Sequence, residues 1–239
     1  MCGRYYVDDG TWSEIRKICH GIDEAKLNVR SGDVRPTDFA LVLSGGKEIR
    51  AEQMHWGFAS PYRDGLLINA RVETATTKVS FRNSIRNCRC VIPAAGFYEW
   101  TKSKEQVSFT MPGSCVLYMA GIWQPSNKGN QFTILTTAPN ASVSPVHDRM
   151  PLVLTPDEIR PWIGDWQKAE KLNGLGRKNS QNHYPQKGSM SVECIRICLQ
   201  NNQNGKCISL YNRRIYSPVC RYRGTMPFRE YLSLGSSRL

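Results

Sequence analysis

Cys2 is the residue in this chain with the most unusual chemistry open to it, because it follows Met1 directly. Once Met1 is removed, Cys2 carries a free α-amine and a thiol on adjacent carbons. The amine condenses with an aldehyde to an imine, and the thiol then closes on the imine carbon to give a five-membered thiazolidine. Reference pKa values of about 7.7–8.0 for the amine and about 8.5 for the thiol leave both partly reactive near neutrality. An internal cysteine has no neighbouring amine and cannot do this.

Three further segments set polar side chains inside apolar runs: Ile68-Asn69-Ala70-Arg71-Val72-Glu73-Thr74, Gly96-Phe97-Tyr98-Glu99-Trp100 and Pro145-Val146-His147-Asp148-Arg149-Met150-Pro151. A carboxylic acid pressed between aromatics has its pKa raised and can exchange protons near pH 7. A histidine titrates there without special tuning. An asparagine offers a donor and an acceptor without charge. Each segment alone also has a plain structural reading, as an edge carboxylate or a hydrogen-bonded core histidine.

The elements that must hold these residues are mostly short strands. Strand-like runs fall at 39–43, 66–68, 90–92, 115–122, 132–136 and 152–154, punctuated by Gly, Pro and Asn. Thr11-Trp12-Ser13-Glu14 reads as a capping box opening a helix that stops at Gly21. Thr155-Pro156-Asp157-Glu158 opens a second helix with Pro at its first position. Many strands and few helices point to a curled, largely antiparallel sheet.

Composition bounds the rest. The chain has 239 residues and 40% hydrophobic content, enough for a proper core. No apolar run reaches the roughly 20 residues of a membrane span, and no signal-peptide core precedes the domain, so a cytoplasmic protein, nucleoid-associated if bacterial, is expected. Nine cysteines at irregular spacing do not read as a secreted disulfide framework. Cys88 and Cys90 read as buried thiols sharing one strand face rather than as metal ligands. The formal net charge is +12, with +2 in residues 1–166 and +10 in 167–239. A compact domain over 1–166 is therefore expected, followed by a basic, partly disordered segment over 167–239 with one strand at 192–199. Such a basic segment either attracts nucleic acid without sequence preference or is merely solvated.

In order along the chain, Met1-Cys2-Gly3-Arg4, Met54-His55-Trp56-Gly57-Phe58, Asn69-Ala70-Arg71 with Glu73-Thr74, Ser80-Phe81-Arg82, Arg89-Cys90-Val91-Ile92-Pro93-Ala94-Ala95-Gly96-Phe97-Tyr98-Glu99-Trp100, Ala120-Gly121-Ile122-Trp123, Thr136-Thr137-Ala138-Pro139-Asn140-Ala141 and His147-Asp148-Arg149-Met150-Pro151 together resemble the SOS response-associated peptidase family of abasic-site processing proteins. The resemblance covers about residues 1–166. It implies an α+β domain with a barrel-like sheet and a few short helices. It also implies covalent capture of abasic sites in single-stranded DNA by a monomer without cofactor or metal. Carried over by motif, Cys2 is the nucleophile, Asn69 aims its amine, Glu99 transfers protons and His147 is a second acid–base group. Arg4, Arg71, Arg82 and Arg149 would hold phosphates, and Trp56 and Pro36 would stack on a base or wedge a duplex edge. The same resemblance leaves open an AP lyase activity, a cysteine peptidase that at least removes Met1, and a non-catalytic binder of single strands.

Overall fold

The computed structural model describes residues 2–19, 31–46, 48–62, 64–172 and 191–193. All of them lie in one compact unit, Met1–Asn201. Its strands are β1 (Arg4–Val7), β2 (Gly32–Val34), β3 (Phe39–Gly45), β4 (Ile49–Trp56), β5 (Phe58–Ala59), β6 (Leu66–Leu67), β7 (Asn69–Arg71), β8 (Arg89–Ala94), β9 (Gly96–Trp100), β10 (Gln106–Thr110), β11 (Leu117–Gln124), β12 (Gln131–Thr137), β13 (Met150–Pro151), β14 (Val153–Leu154) and β15 (Ser191–Glu193). Its helices are α1 (Asp9–Ile18), α2 (Val72–Ala75), α3 (Arg82–Asn87), α4 (Pro156–Gly164) and α5 (Trp166–Leu172).

Five strands close on themselves. β12 pairs β4 in parallel; β4 pairs β3, β3 pairs β8, β8 pairs β11 and β11 returns to β12, all antiparallel. Closure removes the open edges that a flat sheet of this composition would present. β7 adds to β12 in parallel, while β13 and β14 add antiparallel to β12 and β11. A second, antiparallel sheet runs β15-β10-β9-β1-β2. The expected α+β fold with a curled, mostly antiparallel, barrel-like sheet is the one found, with two parallel pairings in it.

Because side chains alternate along a strand, the barrel strands feed two cores. Leu41, Leu43, Val91, Tyr118, Ala120 and Leu135 pack with helix residues Trp12, Ile15, Ile85, Ile159 and Trp162. Ala40, Val42, Met54, Trp56, Ile92, Phe132 and Ile134 pack with Tyr5, Phe97, Val107 and Phe109 of the second sheet and with Cys2. Burying each of these large side chains is worth about 1.5–3 kcal/mol. Gly96 is required where the second sheet is tightest: a Cβ there would lie 2.7 Å from the Phe109 carbonyl oxygen and 2.7 Å from the Tyr6 ring.

Several local expectations are corrected. Helix α1 starts before Thr11. Asp8 is the cap, its carboxylate accepting from the Thr11 N–H at 2.8 Å, and Thr11 sits at the third helical position and answers with its hydroxyl. The helix closes at Ile18, and Gly21 lies outside the described residues. The second helix begins as expected, with the Glu158 carboxylate accepting from the Thr155 N–H at 2.9 Å. Cys88 caps α3 and is only half-buried, while Cys90 is fully buried in β8, so the two are not one strand pair. Helix α5 crosses the composition break at Trp166 and buries Ala169 completely. β15 pairs with β10 through Ser191–Glu193. The remainder of 167–239, with its expected disorder and the rest of the 192–199 run, lies outside the described residues.

Candidate active site

Cys2 lies within the second core. Antiparallel pairing sets Arg4 opposite Tyr98 and Tyr5 opposite Phe97, which carries the start of the chain alongside the end of β9. Phe97 and Glu99 share one face of β9 by the two-residue period. Phe97 stacks on Phe109 with ring centroids 5.1 Å apart, and Glu99 follows it inward to only 2% exposure. The apolar partner thus drags a carboxyl out of water. Burial pushes the Glu99 carboxyl up from its ordinary value, against the opposing positive charges of the amino terminus and His147.

Cys2 is itself fully buried, and its Sγ–H points to the Arg4 carbonyl at 3.7 Å. Burial first, and the Glu99 charge second, push its thiol well above the ordinary range. This is a neutral thiol rather than a standing thiolate. Asn69 reaches Cys2 from the other side. β7 lies beside β12 with Asn69 opposite Ile134, and the Asn69 Nδ2–H donates to the Cys2 carbonyl at 2.9 Å. The second amide atom of Asn69, Oδ1, is buried with no hydrogen-bond partner.

His147 comes from the loop between β12 and β13. Asn140 braces that loop: its side-chain oxygen accepts from the N–H groups of Ser142 and Val143, both at 3.1 Å. The His147 N–H then donates to the Val143 carbonyl at 3.0 Å. The ring Nε2 lies 3.8 Å from Glu99 Oε2. The structure therefore brings Cys2, Asn69, Glu99 and His147 to one place, from four segments separated by long stretches of sequence. The hydroxyl of Thr136, on the β12 face shared with Ile134, is buried without a partner. Thr136 belongs to the Thr136-Thr137-Ala138-Pro139 run of the sequence, where nothing assigned it a role, and its strand partners in the fold are Arg71 and Pro151.

The expected DNA contacts divide. Arg71 and Arg82 are exposed. Arg4 lies over the Trp100 ring at 5.5 Å and 3.5 Å from Asp33, half-open to solvent. Pro36 sits partly exposed in a turn closed by the Arg35 N–H to Asp38 carboxylate bond at 2.8 Å, with Thr37 at φ 81°. Trp56 is no stacking surface: it is 0% exposed and packed against Tyr5 and Phe132. It works as a tie. Its backbone carbonyl accepts from Thr37 at 2.9 Å, its N–H donates to Asp38 at 3.0 Å, and its indole N–H donates to Ile68 at 2.9 Å, next to Asn69. Arg149 is also engaged, its guanidinium forked onto Glu73 with both bonds at 2.8 Å. Burial pushes the Glu73 carboxyl up, but hydrogen bonding and charge from Arg149, with Arg71, outweigh it and hold the group below its ordinary value. Among the described residues no cluster of three or more His, Cys, Asp or Glu is arranged for a metal.

Fold and site define a class: an α+β protein on a closed five-stranded barrel, with a buried cysteine next to the amino terminus gathered to Asn, Glu and His. Comparison with known proteins agrees. The family model for SOS response associated peptidase (SRAP) matches residues 1–191. The abasic site processing protein YoqW of Bacillus subtilis is 34% identical over 184 residues, 68% of this chain and 80% of that protein. YedK of Escherichia coli, another abasic site processing protein, is 35% identical over 180 residues, 68% of this chain and 79% of that protein. HMCES of Xenopus tropicalis, which carries the same description, is 31% identical over 183 residues, 62% of this chain and 55% of that protein. A crystal structure of a protein from Bacteroides thetaiotaomicron superposes with a TM-score of 0.64 at 19% identity, covering 82% of this chain and 93% of that one. A protein from Bordetella bronchiseptica gives a TM-score of 0.63 at 20% identity, over 82% of this chain and all of that one. The chain belongs to the SRAP family.

Proposed function

We propose that this protein senses abasic sites in single-stranded DNA and joins itself to them through Cys2 once Met1 is removed. The ring-opened abasic sugar presents an aldehyde. The Cys2 amine adds to it, water leaves to give the imine, and the thiol adds across the C=N bond, its proton passing to nitrogen. The product is a thiazolidine, with one water lost and nothing oxidised or reduced.

The observation that carries this reading is the state of Asn69. One half of its amide already grips the Cys2 carbonyl at 2.9 Å, and the other half is a buried acceptor with no partner. An unmet buried acceptor costs about 1–3 kcal/mol. A terminal amine on Cys2 supplies the N–H that Oδ1 lacks, and an uncharged acceptor aims that amine without protonating it. Glu99, raised by burial, then serves the loss of water from the carbinolamine, and His147 assists opening of the sugar ring. Arg4, Arg71 and Arg82 provide the phosphate track and the Pro36 turn the wedge.

The buried thiol weighs against the peptidase reading. A cysteine peptidase depends on a stabilised thiolate, whereas burial and Glu99 oppose ionisation of Cys2. The aminothiol route does not need a thiolate in advance, because the imine forms first.

The test is incubation with three single strands: one with an abasic site, one intact, and one with a tetrahydrofuran analogue that has no aldehyde. A heat-stable adduct with the first strand alone is expected. Adducts with all three, or with none, overturn the reading.

A further inference from the structure

We propose that the Glu73–Arg149 ion pair is a positioning device that fixes which ring nitrogen of His147 carries the proton. The inference rests on the reading of His147 as an acid–base group, although the device is a property of the protein without DNA.

The Arg149 side chain is pinned at three points. Nη1 and Nη2 donate to the two Glu73 oxygens at 2.8 Å each, and Nη2 also donates to the Thr136 carbonyl on β12 at 2.6 Å. Its side chain is only 12% exposed. A bidentate, charge-assisted fork of this kind fixes direction as well as distance. The same residue turns its backbone N–H onto His147 Nδ1 at 3.0 Å. A nitrogen that accepts a hydrogen bond holds no proton, so the neutral ring carries its proton on Nε2, the atom facing Glu99 at 3.8 Å.

Nδ1 has a rival partner. Asp148 Oδ1 also lies 3.0 Å from it. A carboxylate only accepts, so Asp148 favours the opposite tautomer, with the proton on Nδ1. Asp148 is 82% exposed, and water weakens its pull. The two residues that follow His147 thus compete for one nitrogen, and the outcome depends on how firmly the Arg149 backbone is held. Glu73 sits on α2, directly after the strand that carries Asn69 and Arg71. The brace therefore ties the segment aiming the Cys2 amine to the segment presenting the His147 proton, and Glu73 and Arg149 act as positioning residues.

The experiment reads ring ¹⁵N chemical shifts of the DNA-free protein, labelled on histidine, at alkaline pH. The four histidines of the chain are sorted by loss of one signal set in His147→Gln. The expected wild-type pattern is an unprotonated Nδ1 and a protonated Nε2. In Glu73→Ala the ratio of Nε2–H to Nδ1–H should fall about threefold to tenfold, the weight of one ordinary hydrogen bond. Asp148→Ala should leave it unchanged or raise it. Should Glu73→Ala fail to fold, Arg149→Lys gives the same reading, since an ammonium cannot make the fork. A wild-type ring protonated on Nδ1, or a ratio unmoved in the variant that folds, overturns the proposal. Crosslinking does not enter this measurement, so the covalent reading and the brace can fail separately.

Discussion

Glu99→Gln preserves the shape of the side chain and removes its ability to trade a proton. The site makes the consequence large. Glu99 is 2% exposed, so bulk water cannot readily replace it, and its carboxyl faces His147 Nε2 at 3.8 Å. General acid–base groups contribute about 10²–10⁴ in rate. At about 1.4 kcal/mol per decade, the lower end is close to 2.7 kcal/mol of barrier. Crosslinking followed as adduct against time on denaturing gels, at saturating abasic strand, should slow by at least about 100-fold. The pH dependence has a defined sign. Burial raises the folded-state value of Glu99, so the useful acid form persists toward neutrality and is lost as pH rises through that raised value. Wild type should show this falling limb and Glu99→Gln should not. Stability follows the same linkage. Protonation favours the fold below the unfolded carboxylate value, and this contribution fades as pH rises through the raised one, so the variant should resist alkaline pH at least as well as wild type. The Cys2 thiol supplies an internal control. Glu99 helps to push it up, so removing the charge should leave alkylation by iodoacetamide equal or faster while crosslinking falls. A crosslinking rate within twofold of wild type, or a parallel fall in alkylation and crosslinking, would remove Glu99 from the proton-transfer role.

Other expectations follow from the same geometry. Trp56→Ala should cost about 3–5 kcal/mol in denaturant unfolding, because a fully buried ring whose indole N–H is bonded to the Ile68 carbonyl leaves a cavity; a near-neutral effect would contradict its place in the core. Arg4→Ala and Arg71→Ala should each reduce the salt slope of single-strand binding by about 0.7 in log–log units, one phosphate apiece, whereas Arg149→Ala should change it less, its fork being spent on Glu73. Intact mass of crosslinking-competent protein should show Met1 absent; a competent sample that retains Met1 throughout would contradict the aminothiol route.

Periodicity carried part of the fold, and chemistry carried part of the site. The runs at 90–92, 115–122 and 132–136 are apolar because both faces of those strands are buried, and the structure shows β8, β11 and β12 there. β4 was not legible: Ile-Arg-Ala-Glu-Gln-Met-His-Trp alternates only loosely, since Glu52, Gln53 and His55 stay half-open. The α1 cap was misplaced because Asp8 and Thr11 are both cap-type residues, and only the reciprocal bond between them decides. Cys2, Asn69, Glu99 and His147 could be nominated because each is a reactive or polar group set in an apolar run. The fate of Arg149 and Trp56 could not be read the same way. An arginine beside a reactive group looks like a phosphate ligand until its partner is known, and Glu73 lies 76 residues earlier in the chain. Trp56 looks like a stacking ring until the second sheet is placed over it. Such pairings are set by β7 and β13 flanking β12 and by the second sheet packing on the barrel, not by local sequence.

If the amine and thiol of Cys2 act together, the mass of the covalent product shows it. Wild-type protein, Cys2→Ala, and wild-type protein with its terminal amine chemically blocked are each mixed with an abasic single strand and measured intact. A stable adduct is expected for wild type alone, weighing the Met1-free protein plus the strand less one water. A stable adduct of the same mass from Cys2→Ala, or one formed equally well with the amine blocked, would contradict their joint action.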